Sequence, residues 1–127
     1  MSVQYSIITR KNLQKPNDPP KFYAVAKSRG EISLRELAKE ISSTSTIAIG
    51  DVLGVLEGFI ALVPKHISNG NIVRLGEFGS FSLSISSEGA PTEDDFHAGL
   101  IKSNSLNFRP GKEVQDALDA VKYKKVV

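Results

Sequence analysis

The stretch that decides the fold is Asn71–Ser86, NIVRLGEFGSFSLSIS. Gly76 and Gly79 bracket Glu77-Phe78, and Phe81 follows at once. Glycine lets the backbone turn sharply at two nearby points. The pattern therefore predicts a strand, a tight corner that drives Phe78 inward, and a second strand. Ile72, Val73 and Leu75 belong to the first strand, while Phe81, Leu83 and Ile85 share one face of the second. Two phenylalanines on a hairpin corner need a core to enter. That core lies either within the same chain or in another one.

Upstream, residues 49–68 carry Val52, Val55, Leu56, Phe59, Ile60 and Val63 at helical spacing, a wide apolar face. Pro64 removes a backbone donor and should kink this helix near its last turns, and Asn69-Gly70 should end it. Gly50, Gly54 and Gly58 fall four apart on one side. They suit either close helix–helix approach or, the favoured reading, a tolerated surface stripe costing up to about 1 kcal/mol each. A shorter helix precedes it in GEISLRELAKEISS, where Ser33 and Glu36 have capping-box spacing. Its buried stripe is Ile32, Leu34, Leu37, Ala38 and Ile41. At the N-terminus, Val3, Tyr5 and Ile7, and then Phe22, Ala24 and Ala26, alternate with polar residues. They flank a proline-rich loop, KNLQKPNDPPK, and so form a hairpin with a long connection.

Downstream of the decisive stretch, SSEGAPTEDDFHAG is poor in apolar residues, and LIKSNSLNF returns as a strand. RPGKEVQDALDAVKYKK then reads as one closing helix, with Pro110 near its first turn and Val114, Leu118 and Val121 as a short stripe. The fold class expected is α+β.

Composition narrows the function. No cysteine is present, which excludes disulfides and thiolate metal sites. The longest apolar run, Phe59–Val63, is too short for a membrane span or a signal peptide, so a cytoplasmic protein without a membrane partner is expected. His66 and His97 stand far apart, and no phosphate-loop or dinucleotide glycine pattern occurs. No enzyme, no cofactor and no small-molecule substrate are expected. Asp94, Asp95 and His97 lie close together, but a loop gives such ligands no supporting shell, so no metal is expected either. The charge is asymmetric. Residues 1–35 hold seven basic side chains against two acids, Glu88–Asp95 holds four acids and no base, and KYKK near the end is basic again. One face is suited to a polyanion.

From Ser33 to about Lys122, some 70% of the chain, the order of elements resembles the HU/integration-host-factor family of bacterial histone-like DNA-binding proteins. Two motifs carry the resemblance: LGEFGSF at Leu75–Phe81 and FRPGKEVQDAL at Phe108–Leu118. Pro91, 13 residues beyond Phe78 and 17 before Phe108, falls where the family's DNA-inserting arm has its tip. The resemblance implies an HU-like domain over residues 30–127 with an arm at about 86–101. The leading hairpin, residues 1–29, looks like that of the extended HU-like proteins of Bacteroides-type bacteria. The resemblance also implies an intertwined homodimer, with Phe59, Phe78 and Phe81 in a shared core. Its function would be architectural, largely sequence-independent binding of double-stranded DNA in the nucleoid. Arg74, Lys102, Arg109 and Lys112 would meet phosphates, helped by free amides at Gly111 and Lys112. Pro91 and Thr92 would form the arm tip. One departure stands out: Glu88, Glu93, Asp94 and Asp95 surround this tip where the family's arms are basic. Carboxylates beside phosphates oppose counterion-driven affinity, so strong bending through the arm is not expected. The second reading is an interaction or assembly module on the same scaffold that has lost strong DNA binding.

Overall fold

The computed structural model describes residues 2–126. The chain is α+β and divides into two compact units. One joins Met1–Ser33 to Ala117–Val127, and the other is Leu34–Asp116.

In the first unit, β1 (Ser2–Arg10) and β2 (Lys21–Lys27) form the expected antiparallel hairpin. Residues 11–20 connect them through turns, with Asn12 accepting from the Gln14 amide at 2.9 Å. The unit gains a third strand where the sequence predicts a helix. The closing helix, α3, spans only Lys112–Asp119, and β6 (Lys122–Lys125) then pairs parallel to β1. The strand order is β2-β1-β6. The expectation of one helix through Lys125 is thus corrected. Val121, Tyr123 and Lys125 alternate with Lys122 and Lys124 at a period of two, and the open edge of β1 offers hydrogen bonds, including Val126 N–H to the Tyr5 carbonyl at 2.9 Å.

The second unit opens with α1 (Leu34–Ser43), starting directly after Ser33 as the capping residues require, and α2 (Ile49–Ser68) packs on it. Ala38, Val52 and Ile67 are buried. The helix runs on past Pro64 to Ser68. It ends as Asn69-Gly70 predicts. The Gly70 amide donates to the Ile67 carbonyl and the Asn71 amide to that of His66, the paired bonds of a Schellman cap. Gly50, Gly54 and Gly58 approach nothing within the chain.

The strand predicted over Ile72–Leu75 is reduced to β3 (Val73–Arg74). A turn of 3-10 helix, Gly76–Phe78, makes the corner into β4 (Gly79–Ser87), which pairs antiparallel with β5 (Ile101–Pro110). Because β3 pairs only at Phe81 and Ser80, the outer part of β4–β5 is a two-stranded ribbon. Residues 88–100 cap it as a loop, closed by the Glu88 amide on the Leu100 carbonyl at 2.9 Å.

The two motifs that carry the family resemblance touch in space. The Gly111 amide donates to the Phe78 carbonyl at 2.9 Å. A Cβ on Gly111 would fall on the Glu77 carbonyl, and one on Gly79 would fall on the Arg109 carbonyl and 2.8 Å from the Phe108 ring. Glycine at both positions is therefore a packing requirement between GEFG and RPG.

Candidate nucleic-acid interface

Strand register sorts the β3-β4-β5 sheet into two chemically distinct faces, since cross-strand partners share a face. One face takes Phe81 with Phe108, Leu83 with Leu106, and Ile85. Phe81 and Phe108 lie 4.9 Å apart between ring centroids, and Phe78 joins them at 5.6 Å from Phe108. This aromatic cluster is only partly covered, with Phe81 half-buried. Phe78 is 51% exposed and Phe59 47%, and a recess of about 510 Å³ lined by Leu56, Phe59, Ile60, Val63, Phe78 and Phe81 opens between α2 and β4.

The opposite face is polar and cationic. Arg74 on β3 pairs with Ser80 on β4, and Ser80 pairs with Arg109 on β5. The two arginines thus stand on either side of Ser80, their backbones about 10 Å apart across two strand spacings. Further along the same face come Ser82 with Asn107 and Ser84 with Ser105, the last two hydroxyls 2.8 Å apart. Two recesses open here. One of about 410 Å³ is lined by Arg74, Ser80, Ser82, Asn107 and Arg109, and one of about 260 Å³ by Arg74, Ser80, Arg109 and Gly111. Lys112, exposed, follows at the start of α3.

Of the residues expected to meet phosphate, the fold therefore brings Arg74 and Arg109 together, with Gly111 and Lys112 next in the chain. It leaves Lys102 apart. Lys102 lies at the far end of β5, seven residues or about 23 Å from Arg109, and its Nζ is 2.6 Å from a Glu88 carboxylate oxygen. Pro91 and Thr92 sit in the exposed capping loop, away from the arginine pair, where Thr92 accepts from the Asp95 amide at 3.3 Å. Gly111 requires a correction. Its amide is not free for a phosphate but is bound to Phe78. The serine and asparagine face goes unnoticed in a reading that follows the apolar residues, although the alternation S-F-S-L-S-I-S at Ser80–Ser86 displays it.

The description "HU domain fused to wHTH, Ig, or Glycine-rich motif" names the family model that matches residues 1–125. The chain belongs to the HU-HIG family. Among solved structures, a Bacteroides vulgatus protein described as a candidate bacterial DNA-binding protein superposes with a TM-score of 0.65 at 11% identity. The alignment covers 98% of this chain and 48% of that one, so this chain spans about half the neighbour's length. That likeness shows the fold alone. No curated protein matches the sequence. Among the described residues, no helix is long and apolar enough to cross a membrane, and no cluster of potential metal ligands forms.

Proposed function

We propose that this HU-HIG chain is a non-enzymatic, histone-like protein of the cytoplasm that binds double-stranded DNA largely without regard to sequence. The observation that carries the reading is the alignment of Arg74 and Arg109 across Ser80, on the sheet face opposite the phenylalanines. Guanidinium forks suit phosphate oxygens, and flanking hydroxyls and amides donate to the sugar-phosphate backbone and fix register without reading bases. Lys112 supplies a third cation. Residues 30–127 supply this HU-like part, with residues 1–29 as an added hairpin whose sheet the C-terminal strand β6 completes.

The working form is a homodimer. The chain exposes 10658 Å², whereas a globular monomer of its mass exposes roughly 6,600 Å². Even two separate globules of about 44 and 83 residues would expose only roughly 7,900 Å². Part of the excess, on the order of 2,700 Å², belongs to the protruding β4–β5 ribbon, and the apolar remainder supports an interface with a second copy. The exposed Phe59 and Phe78, with the half-buried Phe81 beside them, mark where a second copy would sit.

A titration of random-sequence 30-base-pair duplex by fluorescence anisotropy, at 50 and 200 mM salt, tests the reading. Three phosphates per protomer, six per dimer, give the arginine face a log–log salt slope near −5, at about −0.9 per phosphate. Duplexes of different sequence should bind within a few-fold of one another. Absence of binding at 50 mM would refute the proposal and leave the assembly-module reading.

A further inference from the structure

The two units carry opposite charge. Met1–Ser33 with Ala117–Val127 holds nine basic side chains against three acids, while Leu34–Asp116 holds seven against eleven. The unit bearing the arginine pair is thus acidic overall, and the excess of positive charge belongs to the β2-β1-β6 sheet.

That sheet sorts its charge onto one face. Gln4 pairs with Lys27 on β2 and with Lys124 on β6, and Ser2 pairs with Lys122. Farther along the same side come Ile8 with Tyr23 and Arg10 with Lys21. Arg10, Lys21, Lys27, Lys122 and Lys124 therefore share one face, all exposed, with no acid among the strand residues beside them. The guanidinium of Arg10 lies 5.9 Å from the centroid of the Tyr23 ring, at the outer range of a cation–π contact. At this loop end a recess of about 540 Å³ is lined by Arg10, Lys11, Lys21 and Tyr23, with Asp18 on its wall. The other face takes Tyr5 with Ala26, Ile7 with Ala24, and Phe22. Most of the sheet's apolar side chains thus gather on one side, where Lys125 beside Tyr5 is the one strand cation, and five cations share the opposite side.

We propose that the lysine-bearing face of this sheet is a second surface for duplex DNA, contacting phosphates beyond those held by Arg74 and Arg109. The proposal rests on the duplex-binding reading above and adds a site to it. From the level of Gln4 to that of Arg10 the face is about 20 Å long, the rise of about six base pairs. Its composition selects nucleic acid over protein, because lysine is depleted from protein–protein interfaces whereas DNA interfaces are strongly positive. The strand residues Ser2, Gln4 and Ser6 between the cations add donors for backbone oxygens.

The test uses the full chain carrying K27Q/K122Q/K124Q, titrated with the same 30-base-pair duplex at 50 and 200 mM salt. Each protomer whose sheet engages the duplex then neutralises three fewer phosphates, which makes the slope shallower by about 2.7. For one such protomer, the fall in affinity between the two salts becomes about 40-fold smaller. K27R/K122R/K124R should keep wild-type behaviour. If the glutamine triple shifts the melting transition, R10Q/K11Q/K21Q at the loop end gives an independent measurement with the same expected direction. Wild-type affinity and slope in both glutamine triples, while R109A/K112A still weakens binding, would overturn the second surface and leave the proposed function standing. No duplex binding by the wild type at 50 mM would remove both. Loss of binding to polyglutamate with duplex binding untouched would also overturn it, in favour of an acidic protein partner.

Discussion

Replacing Gly111 by alanine tests the contact that joins the two halves of the HU-like unit. The new methyl group would fall on the Glu77 carbonyl and lie 2.9 Å from the Gly79 amide nitrogen, so backbone, not a flexible side chain, must yield. Overpacking of this kind costs about 1–3 kcal/mol. The displacement also loosens the bond from the Gly111 amide to Phe78, itself worth about 0.5–1.5 kcal/mol. Together the change should cost about 2–4 kcal/mol. For a unit of this size each kcal/mol moves the midpoint by about 4–8 °C, so a fall of at least about 8 °C is expected. Gly54→Ala is the control with the opposite sign. Nothing lies within 4 Å of its added methyl, and alanine gains up to about 1 kcal/mol of helix propensity. Differential scanning calorimetry of the two variants at equal concentration gives the answer. If Gly111→Ala melts within about 2 °C of wild type, GEFG and RPG do not meet as described.

A homodimer held by uncovered apolar surface should melt at a temperature that rises with protein concentration, and sedimentation showing a monomer at tens of micromolar would contradict it. Phe78→Ala should abolish both dimer and cooperative unfolding, because the proposed dimer would bury the ring, whose truncation then costs about 3–5 kcal/mol. Glu88→Gln should release Lys102 for phosphate and tighten duplex binding at low salt, with a melting temperature that scarcely changes, since an exposed ion pair contributes only about 0–1 kcal/mol. Pro91→Ala should leave DNA bending, measured by end-to-end energy transfer, nearly unchanged, and a large loss would show that the capping loop does insert.

Elements whose causes are local were legible in the sequence. The helix end at Asn69-Gly70, the corner at Gly76–Gly79 and the alternation of β4 each depend on a few adjacent residues. β6 was not legible, because the four residues KYKK acquire strand character only from the edge of β1, more than a hundred positions earlier. The Gly111 amide failed for the same reason, its acceptor Phe78 being 33 residues upstream. The arginine pair was half legible. Arg74 and Arg109 are obvious as cations, but only register places Ser80 between them. The N-terminal charge excess was visible as a number, yet its meaning depended on β6 bringing Lys122 and Lys124 onto the face that carries Lys27.

The acids of the capping loop bear on DNA differently once the ribbon is laid out. From Ser80, between the arginines, to Glu88 is eight residues along β4, or about 26 Å, more than three Debye lengths at physiological ionic strength. At that distance the four carboxylates barely weaken a phosphate seated on Arg74 and Arg109. They act only on DNA long enough to run out along the ribbon. From the sequence these acids argue against strong bending through the arm; the ribbon's length adds that a phosphate on the arginine face would scarcely feel them. Replacing Glu93, Asp94 and Asp95 by their amides should therefore, at physiological ionic strength, tighten binding of a 30-base-pair duplex and leave an eight-base-pair duplex, about 27 Å of helix, nearly unaffected. Anisotropy with both lengths decides it. An equal gain for the short duplex would mean that DNA lies across the loop, not on the arginine face.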